Sequence, residues 1–192
     1  QSQNIPTAIQ QQLSTTQPII SYFSKTPNEQ DCGCASQIDP TYSLTPVEDG
    51  YYRKLLGRGK DGRFLVQDFY QKSNSQQSSP IWITDPIGLY SFENKYVSGP
   101  VTLYFPNGKV SYKGTLEQGE EVGPSESYYS NGTKGLESET TTALVKQKLW
   151  YSNGDKAAEI SLTNNESYEI NDSKIWDKQG RLVDDEEQQT QI

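Results

Sequence analysis

The chain has 192 residues, of which 32% are hydrophobic and 11% aromatic, and it carries a formal net charge of −8 with two cysteines and no histidine. The length admits one domain or one array of small units, and the low apolar fraction favours thin layers over a thick globular core. Without histidine, Ser-His-Asp and Cys-His nucleophilic arrangements, His-based acid–base chemistry and His-ligated metals are excluded, and no run of 18 apolar residues offers a membrane-spanning helix.

The first fifty residues read as a short helix followed by an irregular linker. Pro6 stands at a helix-opening position, Ile5, Ile9 and Leu13 share one helical face, and Pro18 stops the pattern. The stretch from residue 24 to residue 50 is rich in Pro, Asp, Ser and Gly and reads as linker. Within it lie Cys32 and Cys34, one residue apart. They are too few to hold zinc alone, and a disulfide between them closes a small, strained ring. Three readings stay open: a local disulfide clamp helped by Gly33, a redox-active pair, or pairing with another chain. The clamp is favoured if the protein is exported. Export is expected because the chain starts at Gln1 and contains no Met, which fits a mature, periplasmic or envelope-associated form that has lost a signal peptide, or a trimmed chain.

From residue 51 a repeat takes over. In register, "TLYFPNGKVSYKG" (102–114), "ESYYSNGTKGLES" (126–138), "KLWYSNGDKAAEI" (148–160) and "KIWDKQGRLVDDE" (174–186) place an aromatic at Tyr104, Tyr128, Trp150 and Trp176, and a turn at Asn107-Gly108, Asn131-Gly132, Asn153-Gly154 and Gln179-Gly180. The glycines are 24, 22 and 26 residues apart. Carried backwards, the phase meets Trp82 with a turn at Asp85-Pro86, and then Gly62. Asn-Gly between alternating runs is the strongest short hairpin signal, and it predicts two-residue turns with positive φ at both central residues. A lone hairpin is marginal in water, so the units must stack edge to edge. The expected architecture is all-β: residues 1–50 form the helix and linker, and residues 51–192 form an extended antiparallel sheet of five to six hairpins of about 22–26 residues, ending in an acidic tail from residue 184.

These units resemble the MORN-variant hairpin repeats, with "YFPNGKVSYKGTLEQG" the closest match and Asp177 departing from the expected aromatic. The resemblance covers about 100–185 and extends weakly back to 56. It implies a protein-interaction module, and among bacterial proteins an antitoxin-like or immunity-like role.

Residues 1–116 carry 10 Lys/Arg and 9 Asp/Glu, whereas residues 117–192 carry 7 and 16. The acidic half repels phosphate backbones and attracts basic proteins, so nucleic acid is not an expected partner. No phosphate-binding loop is present, and "GRGKDG" (57–62) reads as a basic turn. The carboxylate clusters "QGEEVG" and "DDEEQQ" lack the apolar neighbours that raise a general acid's pKa, so neither catalysis nor a cofactor nor a metal is expected. The residues expected to contact a protein partner are Tyr104, Tyr128, Tyr129, Trp150 and Tyr151, with Glu120, Glu121, Asp184 and Asp185 at the rim. A buried, structural position is the competing reading for each aromatic. The expected function is a non-catalytic protein-binding module, in its specific form an exported bacterial immunity protein that neutralises a basic secreted toxin. A cell-envelope structural or carbohydrate-binding protein is the alternative.

Overall fold

The computed structural model describes residues 17–25 and 40–183. The expected N-terminal helix, Cys32, Cys34, Asp184 and Asp185 lie outside the described residues. The fold is all-β, with two antiparallel sheets: β1 (Ile19–Ser24), β2 (Thr41–Ser43), β3 (Tyr51–Arg58), β4 (Phe64–Tyr70) and β5 (Ile81–Ile83) form one in the order β2-β1-β3-β4-β5. The other comprises β6 (Gly99–Tyr104), β7 (Val110–Glu117), β8 (Glu120–Tyr128), β9 (Lys134–Thr140), β10 (Leu144–Trp150), β11 (Lys156–Thr163) and β12 (Ile170–Ile175), in the order β12-β11-β10-β9-β8-β7-β6. By contacts the chain forms two units, one reaching to Gly108 and including Leu116–Glu120, the other made of Lys109–Thr115 and the residues from Glu121 onward.

The first unit has a sealed core. Phe23, Val66 and Ile83 are at most 1% exposed, and Leu56, Leu65, Ile81 and Val97 are buried with them. Full burial of one such side chain is worth about 1.5–3 kcal/mol. Inside this core lies an ion pair. Arg53 on β3 is the cross-strand partner of Asp68 on β4, and its guanidinium grips both carboxylate oxygens at 2.7 and 3.0 Å, with each residue 2% exposed. Its remaining nitrogen donates to the Gly88 carbonyl at 2.5 Å and the Ser91 carbonyl at 3.0 Å, while the rings of Phe23 and Phe92 lie 5.1 and 5.2 Å from its carbon centre. The guanidinium is thereby supplied with partners, which a buried charge requires. It also pins the 3-10 helix Pro86–Tyr90, whose Asp85 cap accepts from the Ile87 N–H. Gly88 fits there because a Cβ would stand 2.6 Å from both Ile83 and Tyr96.

Three expectations are corrected here. The boundary at residue 50 is not structural, because β1 pairs with β3 and β2 with β1. In β1, Ser21 and Phe23 are 1% and 0% exposed, so the reading of residues 1–50 as helix and linker missed an interior strand. The Asp85-Pro86 hairpin turn is instead the start of the Pro86–Tyr90 3-10 helix, followed by a second at Asn94–Tyr96, and Trp82 sits on the short strand β5. The hairpins also do not share one sheet, since the pair around Gly62 belongs to the five-stranded sheet.

Candidate functional site

The turns define one edge of the second unit. At Gly132, Gly154 and Gly180 the glycine N–H donates to the carbonyl three residues back, that of Tyr129, Tyr151 or Asp177, at 2.9 Å, and the same holds for Gly108 with Phe105. These glycines have φ between +82° and +93°, whereas Asn107, Asn131 and Asn153 do not adopt positive φ. The turn is therefore not the expected two-residue form. It is a three-residue loop in which a type I turn is closed by one left-handed glycine, and Tyr129 N–H to Thr133 O, Tyr151 N–H to Asp155 O and Asp177 N–H to Arg181 O complete it at 2.8 Å. The asparagine's role is a side-chain one: Asn131 Oδ1 accepts from Thr133 N–H and Asn153 Oδ1 from Asp155 N–H, each at 2.9 Å. Asp177, where the repeat calls for an aromatic, does this from the turn's first position, accepting from the Gln179 and Arg181 N–H groups at 3.0 and 2.9 Å.

In two of the units the second aromatic ties its turn to the next unit. Tyr129 donates its hydroxyl to the Trp150 carbonyl and Tyr151 to the Trp176 carbonyl, both at 2.7 Å. Lys109 Nζ reaches the Asn131 carbonyl at 3.1 Å and Asn131 Nδ2 the Ser152 carbonyl at 3.0 Å. The Tyr129 ring lies over Gly135, where a Cβ would meet it at 3.0 Å.

The aromatics singled out from the sequence thus divide. Tyr104 is buried in the core, Tyr128, Trp150 and Tyr151 are half-buried, and Tyr129 is 38% exposed. Of the acids, Glu120 is exposed, while Glu121 turns inward to accept from Tyr112 at 2.8 Å and Ser125 at 2.7 Å. Burial and then the Glu121 carboxylate push the Tyr112 hydroxyl well above its ordinary pKa, so Tyr112 stays protonated.

A second feature went unseen in the sequence. Across β8 to β12 the register aligns Glu126, Glu137, Lys148, Glu159 and Lys174 in one row, and Pro124, Glu139, Lys146, Ser161 and Asp172 in another two residues away. Because strand side chains alternate, both rows stand on the same face, and the row between them, from Ser125 and Ser138 to Gln147 and Ile160, turns its side chains to the other. The two rows are the walls of a groove of about 470 Å³ whose floor is sheet backbone. The signal was present as charges at every second position, "ESE" (137–139), "KQK" (146–148) and "DSK" (172–174).

The charges in this groove are partly paired. Lys134 spans Glu126 and Glu137 at 3.2 and 3.4 Å, offsetting the repulsion of two carboxylates placed directly opposite, and Lys156 holds Glu159 at 3.0 Å. The Tyr128 hydroxyl, and then Lys134, hold the Glu126 carboxyl below its ordinary pKa. Lys156 does the same for Glu159. Every carboxylate lining the groove is at most half-buried. Among the described residues no group of three or more Cys, Asp or Glu side chains is placed to hold a metal ion, and no helix is long and apolar enough to cross a membrane. No protein-family model matches the chain, and no curated protein matches it.

Proposed function

We propose that the chain is a non-catalytic module that binds another protein, built in its second half from MORN-like hairpin units stacked edge to edge. The observation that carries this reading is the groove on β8–β12, an exposed sheet face whose charges are sorted strand by strand rather than scattered. Charge order of this kind steers encounter and fixes register more than it adds affinity, which suits a recognition surface. The turn edge adds the aromatic rim, with Tyr129 the most exposed of its rings.

The resemblance to MORN-variant proteins supplies the specific form of the proposal, an exported bacterial immunity protein that occludes a basic secreted toxin. The acidic excess of the second half favours a basic partner. The protein is used as bait against lysate of its own organism at low and high salt, with mass spectrometry of the retained material. A single basic protein, bound one to one and released by salt, is the expected result. Retention of cell-wall glycan that salt does not weaken, or self-association alone, would reject it.

A further inference from the structure

We infer that the groove takes an extended segment of the partner in which a basic and an acidic side chain stand one or two positions apart, the cation over β9 and the anion over β10. The inference rests on the protein-binding reading and goes beyond it by naming what the groove selects.

The cross-section of the groove differs in charge from strand to strand. On β9 its two walls are Glu137 and Glu139, both acidic, and on β10 they are Lys146 and Lys148, both basic. At β12 the walls are Lys174 and Asp172, which oppose each other, and at β11 Glu159 already has Lys156. At the β8 end Lys134 offsets one of the two carboxylates it spans. What remains after this internal pairing is a dipole, with negative charge centred on Glu139 and its neighbour Glu137 and positive charge on Lys146 and Lys148, one strand spacing of about 4.8 Å apart.

Neighbouring strands already set these signs opposite one another, in the Glu137 to Lys148 and Glu139 to Lys146 pairs, which lowers the energy of the empty sheet. A ligand must therefore repeat the alternation to gain anything. A purely cationic segment meets Lys146 and Lys148, and a purely anionic one meets Glu137 and Glu139. A segment with both signs satisfies each wall pair at once. Five strands span about 19 Å, room for about six residues of extended chain, and side chains one or two positions apart lie about 3.8–7 Å from each other, which brackets the strand spacing. The backbone floor at Ser138 and Gln147 lets such a segment lie down between the walls.

The test uses the whole chain labelled with nitrogen-15 and three end-blocked hexapeptides: Ser-Lys-Thr-Glu-Thr-Ser, the same peptide with Lys at both charged positions, and the same with Glu at both. The mixed peptide is expected to shift the backbone amides of Ser138 and Gln147 with a dissociation constant about fivefold lower than either single-sign peptide, the discrimination an exposed charge pair supplies. In the Lys146→Glu, Lys148→Glu double variant the preference should pass to the peptide with two lysines. Both lysines are exposed, so the substitutions spare the buried side chains, and unchanged circular dichroism checks the fold. Equal or tighter binding of the two-lysine peptide to the native chain overturns the inference, because the groove would then be an unordered acidic surface. Unmoved floor amides with all three peptides up to about 10 mM overturn it as well. Running the lysate capture with the same double variant separates the two levels: a protein retained equally by native and variant chains leaves the binding reading standing and removes the groove from it.

Discussion

In the first unit Phe23, Val66 and Ile83 are shut off from water, whereas in β8–β12 the apolar side chains Leu136, Leu149 and Ile160 are only half-buried and the most enclosed residues include Ser125 and Ser138. One region rests on a core, and the other on cross-strand pairs and on turns hydrogen-bonded to their neighbours. The difference shows how a chain with a low apolar fraction can still hold many strands: apolar burial is concentrated in the first unit, while β8–β12 bury Val145 and Ala158 and rely more on short-range polar contacts. It also leaves β8–β12 with a charged face at the surface, which a sheet covered on both sides would lose.

The largest expected effect tests the core. Asp68→Ala strands the Arg53 charge among Phe23 and Phe92, and urea unfolding should show a loss of about 3–5 kcal/mol. A loss below about 1 kcal/mol would mean that water reaches the guanidinium. Next comes the turn edge. Gly154→Ala should cost about 1–2 kcal/mol, since its φ of +93° disfavours any Cβ and no atom lies close enough to add a clash. Gly154→Asn should cost less, because Asn tolerates that region, and equal costs for the two would contradict backbone strain as the cause.

Tyr129→Phe deletes the hydroxyl that reaches the Trp150 carbonyl and keeps the ring over Gly135, so a loss of about 0.5–1.5 kcal/mol is expected in thermal unfolding. If Tyr151→Phe behaves alike and the double variant is additive, the ties act independently. The smallest effect is electrostatic. Glu126 has its pKa lowered from 4.5 by the Tyr128 hydroxyl, Lys134 and, more weakly, Lys113. A carboxylate whose folded pKa is depressed contributes stability above its unfolded pKa and loses it as pH falls through the folded value. Stability should therefore decline below about pH 4.5, and Glu126→Gln should flatten part of that slope in denaturation curves taken between pH 3 and 6.

Much of the strand order of the second sheet was legible, because Gly108, Gly132, Gly154 and Gly180 mark real turns at the expected positions. The turn type was misread, since a dipeptide rule cannot tell a two-residue loop from a type I turn closed by glycine when Asn fits both. β1 was lost because Pro18 and the composition after it outweighed the alternation in "IISYFS". Asp68 was visible as a lone charge inside "FLVQDFY", but Arg53 stands beside Lys54, and the bulge between Leu55 and Gly57 shifts the register by one, so counting evenly from the turn would have set Arg53 opposite Phe69 instead. The groove needed the register of four strand pairs at once, and its carboxylates stand outside the two acidic clusters that the sequence displays most plainly.

The Asn-Gly turns bear on how the protein ages. In that dipeptide the glycine nitrogen readily attacks the preceding side-chain amide carbon, expelling ammonia and closing a succinimide ring that water then opens to aspartate or its isomer. At Asn131 and Asn153 the glycine N–H is engaged by the Tyr129 and Tyr151 carbonyls, and the amide oxygen is held by the backbone of Thr133 and Asp155. Folding thus restrains both the attacking atom and its target. Each interval spent unfolded releases them, so the fraction of molecules one dalton heavier at residues 131 and 153 becomes a chemical record of time spent out of the native state.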